Sequence, residues 1–168
     1  MNDTEMIKFN HEIFVCVNFL HIYNKSIHFL KHGDPLIREP DCICDRNTAI
    51  EIVGIYDSDK QAEKLWNNDL DIKTENIFSF DLLAFENLNK NISKKLFKLN
   101  KGLYKGFNGR VMLVCDILSP LVTDKDIDIF VKSYIPFNGN SDYEKYFYEI
   151  WILWKSNVAG CFRIKKLE

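Results

Sequence analysis

The residues of this chain best suited to chemistry are two acids set in short apolar runs. Asp41 opens Asp41-Cys42-Ile43-Cys44, and Glu51 lies inside Ala49-Ile50-Glu51-Ile52-Val53. A carboxylate inside such a run is costly to bury unless it is paired or binds a cation. Two of them on neighbouring strands suggest a shared divalent metal. Two carboxylates, a backbone carbonyl and waters make the oxygen-rich set that Mg²⁺ or Mn²⁺ takes. Such an ion can polarise a phosphoryl oxygen and supply hydroxide near neutral pH. The alternative is an edge acid after Pro40 and a solvent-facing Glu51 on a one-sided strand.

Whether the two acids meet depends on the turn between them. A two-residue loop of Arg46-Asn47 sets Asp41 opposite Ile52 and puts the acids on different faces. A three-residue loop of Arg46-Asn47-Thr48 sets Asp41 opposite Val53 and Ile43 opposite Glu51. Asp41, Glu51 and Val53 then share one face, and Cys42, Cys44, Ile50 and Ile52 share the other. The second register separates a small, apolar face cleanly and is the one expected.

The elements that must position this hairpin read as follows. Phe9, Ile13, Val17, Leu20, Ile27 and Leu30 recur at helical spacing and predict one long helix from about Lys8 to Lys31, ended by Gly33-Asp34-Pro35. The hairpin, about Asp41 to Cys44 and Thr48 to Ile55, comes next. Asp57-Ser58-Asp59 offers cap chemistry for a short helix over about Asp59 to Asn67. A second long helix is predicted from Phe80 to Lys101, with Phe85, Leu88, Ile92, Leu96, Leu99 and Leu103 as its apolar stripe. Arg110 to Leu118 is a continuously apolar strand, buried on both faces. A helix from Asp124 to Tyr134, capped by Thr123 or Asp124, and strands over Phe147 to Trp154 and Val158 to Lys165 complete the chain. The expected class is α/β: a single domain over 1–168 with a central mixed sheet flanked by helices.

Composition narrows the function. The five cysteines are an odd number with no basic leader ahead of them, so reduced core thiols in a cytoplasmic protein are expected. No apolar run approaches the ~20 residues of a membrane span. Cys42-x-Cys44 could bind zinc, but no second pair stands at finger-like spacing. His21, His28 and His32 could align along the first helix, though not at the i, i+4 spacing of helical metal ligands. The net charge of −2 argues for no particular partner, but its distribution does. Between Asn87 and Cys115 there are no acids, while Lys90, Lys94, Lys95, Lys98, Lys101, Lys105 and Arg110 all fall there. Lys94, Lys98, Lys101 and Lys105 form one helical face, which is either simply solvated or a surface for a polyanion.

Glu39-Pro40-Asp41-x-Ile43, then Ile50-Glu51-Ile52-Val53, then a short helix carrying Gln61, resembles the PD-(D/E)XK nuclease superfamily, whose fold is that of restriction endonucleases. The resemblance spans most of the chain and includes the Lys-rich helix Ile92–Lys98 before a buried strand and the late strand Tyr148–Leu153. It implies that Asp41 and Glu51 hold Mg²⁺ or Mn²⁺ together with the carbonyl of Ile52. Glu12 is either the extra acid that some members carry on the first helix or an ordinary solvent-facing helix residue. The family's lysine belongs two positions after the Glu, where this chain has Val53. Some members supply that group from the following helix, which here offers Gln61 first, then Lys60 and Lys64. The resemblance implies a metal-dependent DNA nuclease that tracks its substrate with Lys94, Lys98, Lys101 and Lys105. Members of the fold often act as homodimers so that both strands are cut. The alternative implied by Val53 is a catalytically inactive relative that binds nucleic acid or serves in an assembly.

Overall fold

A computed structural model describes residues 3–55, 80–100, 104, 106–118, 122–133 and 147–167. One six-stranded mixed sheet organises them, with its strands side by side in chain order.

Helix α1 (Asp3–Tyr23) begins with Asp3 and Glu5, and acids there complement the positive end of the helix dipole. It buries Glu12, Val15, Cys16, Phe19 and Leu20, the spacing of one helical face. The helix stops at Tyr23, short of the expected Lys31. Asn24 ends it, because its side-chain oxygen accepts bonds from the Ser26 amide at 3.0 Å and hydroxyl at 2.7 Å. Phe29–His32 is instead strand β1. Leu30 continued the helical spacing only by coincidence, and its side chain is 61% exposed. The expected alignment of His21, His28 and His32 on one helix is therefore lost.

Strands β2 (Cys42–Cys44) and β3 (Thr48–Ile55) form the hairpin. Arg46 and Asn47 both adopt left-handed backbone, with φ of 54° and 55°, and the Thr48 amide closes the turn on the Asp45 carbonyl. Thr48 thus lies in the ladder rather than in the loop, opposite Cys44. The pairing shifts by two residues from the expected register. Ile43 faces Ala49, not Glu51, and continuing the ladder sets Asp41 opposite Glu51, not Val53. A shift of two preserves sides, so the two acids still share a face.

Helix α2 (Phe80–Asn100) connects β3 to β4 (Arg110–Ile117), which run parallel and so need a crossover. Helix α3 (Asp124–Ser133) precedes β5 (Glu149–Lys155), which is parallel to β4, and β6 (Phe162–Leu167) returns antiparallel at the edge. Thr123 caps α3 by exchanging bonds with Asp126. The last two strands lie further along than expected, because Ser156–Cys161 forms the turn between them.

Two apolar layers result. Leu88 and Ile92 of α2 and Ile127 and Phe130 of α3 pack on Ile43, Ala49, Ile55, Leu113 and Ile152. Val15, Cys16, Phe19 and Leu20 of α1 pack on Cys42, Cys44, Ile50, Met112 and Leu153 on the other face. Strand β4 contributes to both layers, as its continuous apolar run predicts. Cys16, Cys42, Cys44 and Cys115 are buried and free, and Cys161 is exposed. The short helix expected near Asp59 to Asn67 lies outside the described residues. Among those residues no helix is long and apolar enough to cross a membrane.

Candidate functional site

The hairpin strands are of unequal length, and that inequality makes the site. β2 starts at Cys42, opposite Ile50, so β3 runs on to Ile55 without a ladder partner on that side among the described residues. Asp41 takes over there. Its Oδ2 accepts the Ile52 amide at 2.8 Å, and its own amide donates to Glu51 Oε2 at 3.3 Å. The N–H and C=O of one strand residue point to the same edge, so the Ile52 carbonyl faces the Asp41 side as well.

Glu51 is 5% exposed. Lys95, reaching down from α2, bonds its Oε1. The Tyr104 hydroxyl donates to the same carboxylate. Burial pushes the Glu51 carboxyl up, as does the charge of Asp41, and Lys95 offsets only part of this. Asp41 is likewise raised by burial; Lys95 counters this and Glu12 adds to it. Burial alone would lower Lys95, but Glu51 and Asp41 reverse that and hold it protonated. Two acids thus share one lysine in a poorly hydrated space. Tyr104 is pushed up by burial and by Glu51, and its backbone sits at φ 66°, an unusual value for an aromatic residue.

Asp41, Ile52, Gly54 and Lys95 line a cavity of about 150 Å³, together with Lys8, His11 and Glu12 of α1. Glu12 is buried and lies 2.6 Å from His32 Nε2, with Lys8 at 3.6 Å from its other oxygen. His32 Nδ1 is 2.9 Å from the Gly33 carbonyl, which can only accept, so Nδ1 carries a hydrogen. On the α1 face Asp116 of β4, 3% exposed, lies with Oδ2 3.1 Å from His11 Nε2.

Asp41, Glu51 and Ile52 are therefore brought together, whereas Gln61, Lys60 and Lys64 lie outside the described residues. Lys101 and Lys105 also lie outside them, Lys98 is described only as part of the α2 backbone, and Lys94 is exposed. The sequence reading overlooked Lys95, grouping it with a solvated block. A signal was present. Lys95 follows Ile92 by three residues and Leu88 by seven, so it stands on the apolar face of the helix, where a lysine needs a buried partner. Nothing local marked Tyr104, which is brought in by the chain after α2.

Asp41, Glu51 and the Ile52 carbonyl supply hard oxygen donors beside a surplus of negative charge, which fits Mg²⁺ or Mn²⁺ better than a soft ion. Among the described residues no three His, Cys, Asp or Glu side chains form a ready metal cage, so water would have to complete any coordination. No protein-family model matches the chain, and no curated protein or solved structure gives a significant match.

Proposed function

We propose that this protein is a metal-dependent nuclease of the PD-(D/E)XK type, with a restriction-endonuclease-like fold, hydrolysing phosphodiester bonds in DNA. The observation that carries the proposal is Lys95, whose Nζ meets Glu51 beside Asp41. The grouping of two acids and a lysine, broken in sequence by Val53, is thereby remade from α2. The order of elements supports the same reading: an opening helix, a hairpin bearing Asp and Glu, a helix and a buried strand.

Asp41, Glu51 and the carbonyl of Ile52 would hold Mg²⁺ or Mn²⁺, which supplies Lewis acidity and lowers the proton affinity of water. Lys95 would orient the attacking water and offset charge that develops on the phosphoryl oxygens. Glu51, raised by burial, is suited to accept a proton from that water. Tyr104 would keep Glu51 aimed when Lys95 turns to substrate. Lys94 and the lysines that follow it would contact the phosphate backbone, giving salt-sensitive and largely sequence-independent affinity.

A second reading, a non-catalytic subunit that binds nucleic acid, has one observation on its side. Lys95, Tyr104 and the Asp41 amide already satisfy Glu51 within the protein. Cleavage of plasmid and single-stranded DNA with Mg²⁺ or Mn²⁺, alongside Mn²⁺ binding to wild type and Asp41→Ala, separates the two. The nuclease reading expects cutting and an ion lost with Asp41. No cutting with any divalent ion, and Mn²⁺ binding indifferent to Asp41→Ala, would favour the binding subunit.

A further inference from the structure

Asp116 is a buried carboxylate that the proposed reaction does not use. It ends an otherwise apolar alternation on the α1 face of β4, after Met112 and Val114. A carboxylate placed there is expensive unless paired. Its partner is His11, and His11 lines the same cavity as Asp41 and Lys95. The Nε2–Oδ2 separation is 3.1 Å without the alignment of a full hydrogen bond, and both atoms are shielded from solvent. Such contacts commonly tighten only when substrate binds.

Gly54 supplies an independent observation. It pairs with Asp116 across β3 and β4 and lines the cavity. By strand alternation position 54 falls on the α1 face beside Asp116, and glycine places no side chain there. Among the described residues, the charged groups that share the cavity with His11 are Lys8 and Glu12 on its own helix, Asp41 ahead of β2 and Lys95 on α2, and Asp116 on β4 meets its ring.

We propose that His11, positioned by Asp116, is the proton donor to the leaving oxygen in phosphodiester hydrolysis. This rests on the nuclease reading and assigns the half of the reaction that Glu51 and Lys95 do not serve. In-line displacement needs the attacking and leaving oxygens on opposite sides of phosphorus. Lys95 of α2 and His11 of α1 line the cavity from helices on opposite faces of the sheet, and Glu51 meets Lys95 on the α2 side. Histidine is the side chain that ordinarily gains and loses a proton near neutral pH, and a carboxylate behind the ring fixes its orientation. In the step, the oxygen of water bonds to phosphorus, and the bond from phosphorus to the sugar oxygen breaks with its electron pair. That oxygen takes the imidazolium proton. The neutral imidazole regains a proton from solvent, and the proton of the attacking water passes to Glu51 and from there to solvent.

The test compares two DNA substrates in Mn²⁺, one ordinary and one with sulfur replacing the leaving oxygen, since a thiolate departs without being protonated. His11→Ala and His11→Gln are expected to cut the ordinary substrate about 10²–10⁴-fold more slowly, chiefly in kcat, while staying within a few-fold of wild type on the sulfur substrate. Asp116→Asn should show a smaller loss with the same rescue, which a merely structural ion pair would not give. Melting temperatures identify any variant that fails to fold, and His11→Gln keeps a polar group facing Asp116. Equal loss on both substrates, or no loss on either, overturns the assignment while leaving the nuclease reading intact. A wild type that cuts neither substrate overturns both.

Discussion

Two carboxylates, one inside strand β3 and one at the start of helix α3, show how differently one functional group can be used. Asp124, at the start of α3, accepts bonds from Trp154 Nε1 at 2.7 Å and Ser156 Oγ at 2.8 Å, with Arg163 at 3.3 Å. The Trp154 and Ser156 bonds hold its carboxyl below the usual range, against a small opposing effect of burial. Glu51 also has donors around it, yet its burial and its neighbour Asp41 push it the other way. Asp124 is a satisfied acid that ties α3 to β5 and β6. Glu51 and Asp41 are two acids competing for one lysine, an arrangement that costs stability and is retained where a proton or a cation has to be handled.

The strongest way to break this contrast is to exchange the consequences. Glu51→Ala should abolish metal-dependent cleavage while Asp124→Ala leaves the rate within a few-fold of wild type. Melting should reverse the order, with Asp124→Ala lowering the transition temperature more. Assaying both variants for cleavage and thermal unfolding checks this, and loss of cleavage in Asp124→Ala would erase the distinction.

Lys95→Met comes next. Removing the shared cation leaves two buried acids uncompensated, which should destabilise the protein by about 3–5 kcal/mol in denaturant unfolding. Where the variant remains folded, its cleavage rate should fall ~10²–10³-fold. A Met variant as active as wild type would return the lysine role to the segment after β3.

Asp41→Asn sharpens the contrast through pH. A carboxyl raised in the folded state binds more protons there than in the unfolded chain. Stability therefore falls as pH rises from about 4, the ordinary carboxylate range, through the raised value. Without divalent ions, Asp41→Asn should melt higher than wild type at neutral pH, and the gap should close toward pH 4. Adding Mn²⁺ should raise the wild type's transition and not the variant's. A melting gap independent of pH would show that Asp41 is not under electrostatic pressure.

The smallest expected effect is on the exposed face of α2. Lys94→Glu should weaken DNA binding similarly across sequences and reduce the slope of log affinity against log salt by about 1 or more, measured by fluorescence anisotropy. An unchanged slope would remove Lys94 from the DNA surface.

By itself the sequence determined the class of fold, the face shared by Asp41 and Glu51, and the double burial of β4. These follow from period-two and period-3.6 patterns, which are local and survive a register shift of two residues. It misjudged the end of α1, because Ile27 and Leu30 prolong a helical spacing that Asn24 interrupts through side-chain bonds no periodicity records. It also missed the lysine. Val53 directed attention to the residues next in sequence, but the partner of Glu51 stands 44 residues further on. Only the crossover that makes β3 and β4 parallel lays α2 over the hairpin and brings Lys95 within reach. Tertiary structure likewise decided that Asp116 and His11 meet at the same cavity. The cost of burying a charge is visible in a sequence wherever an acid or lysine interrupts an apolar face, but the residue that offsets it is chosen by packing between elements distant along the chain.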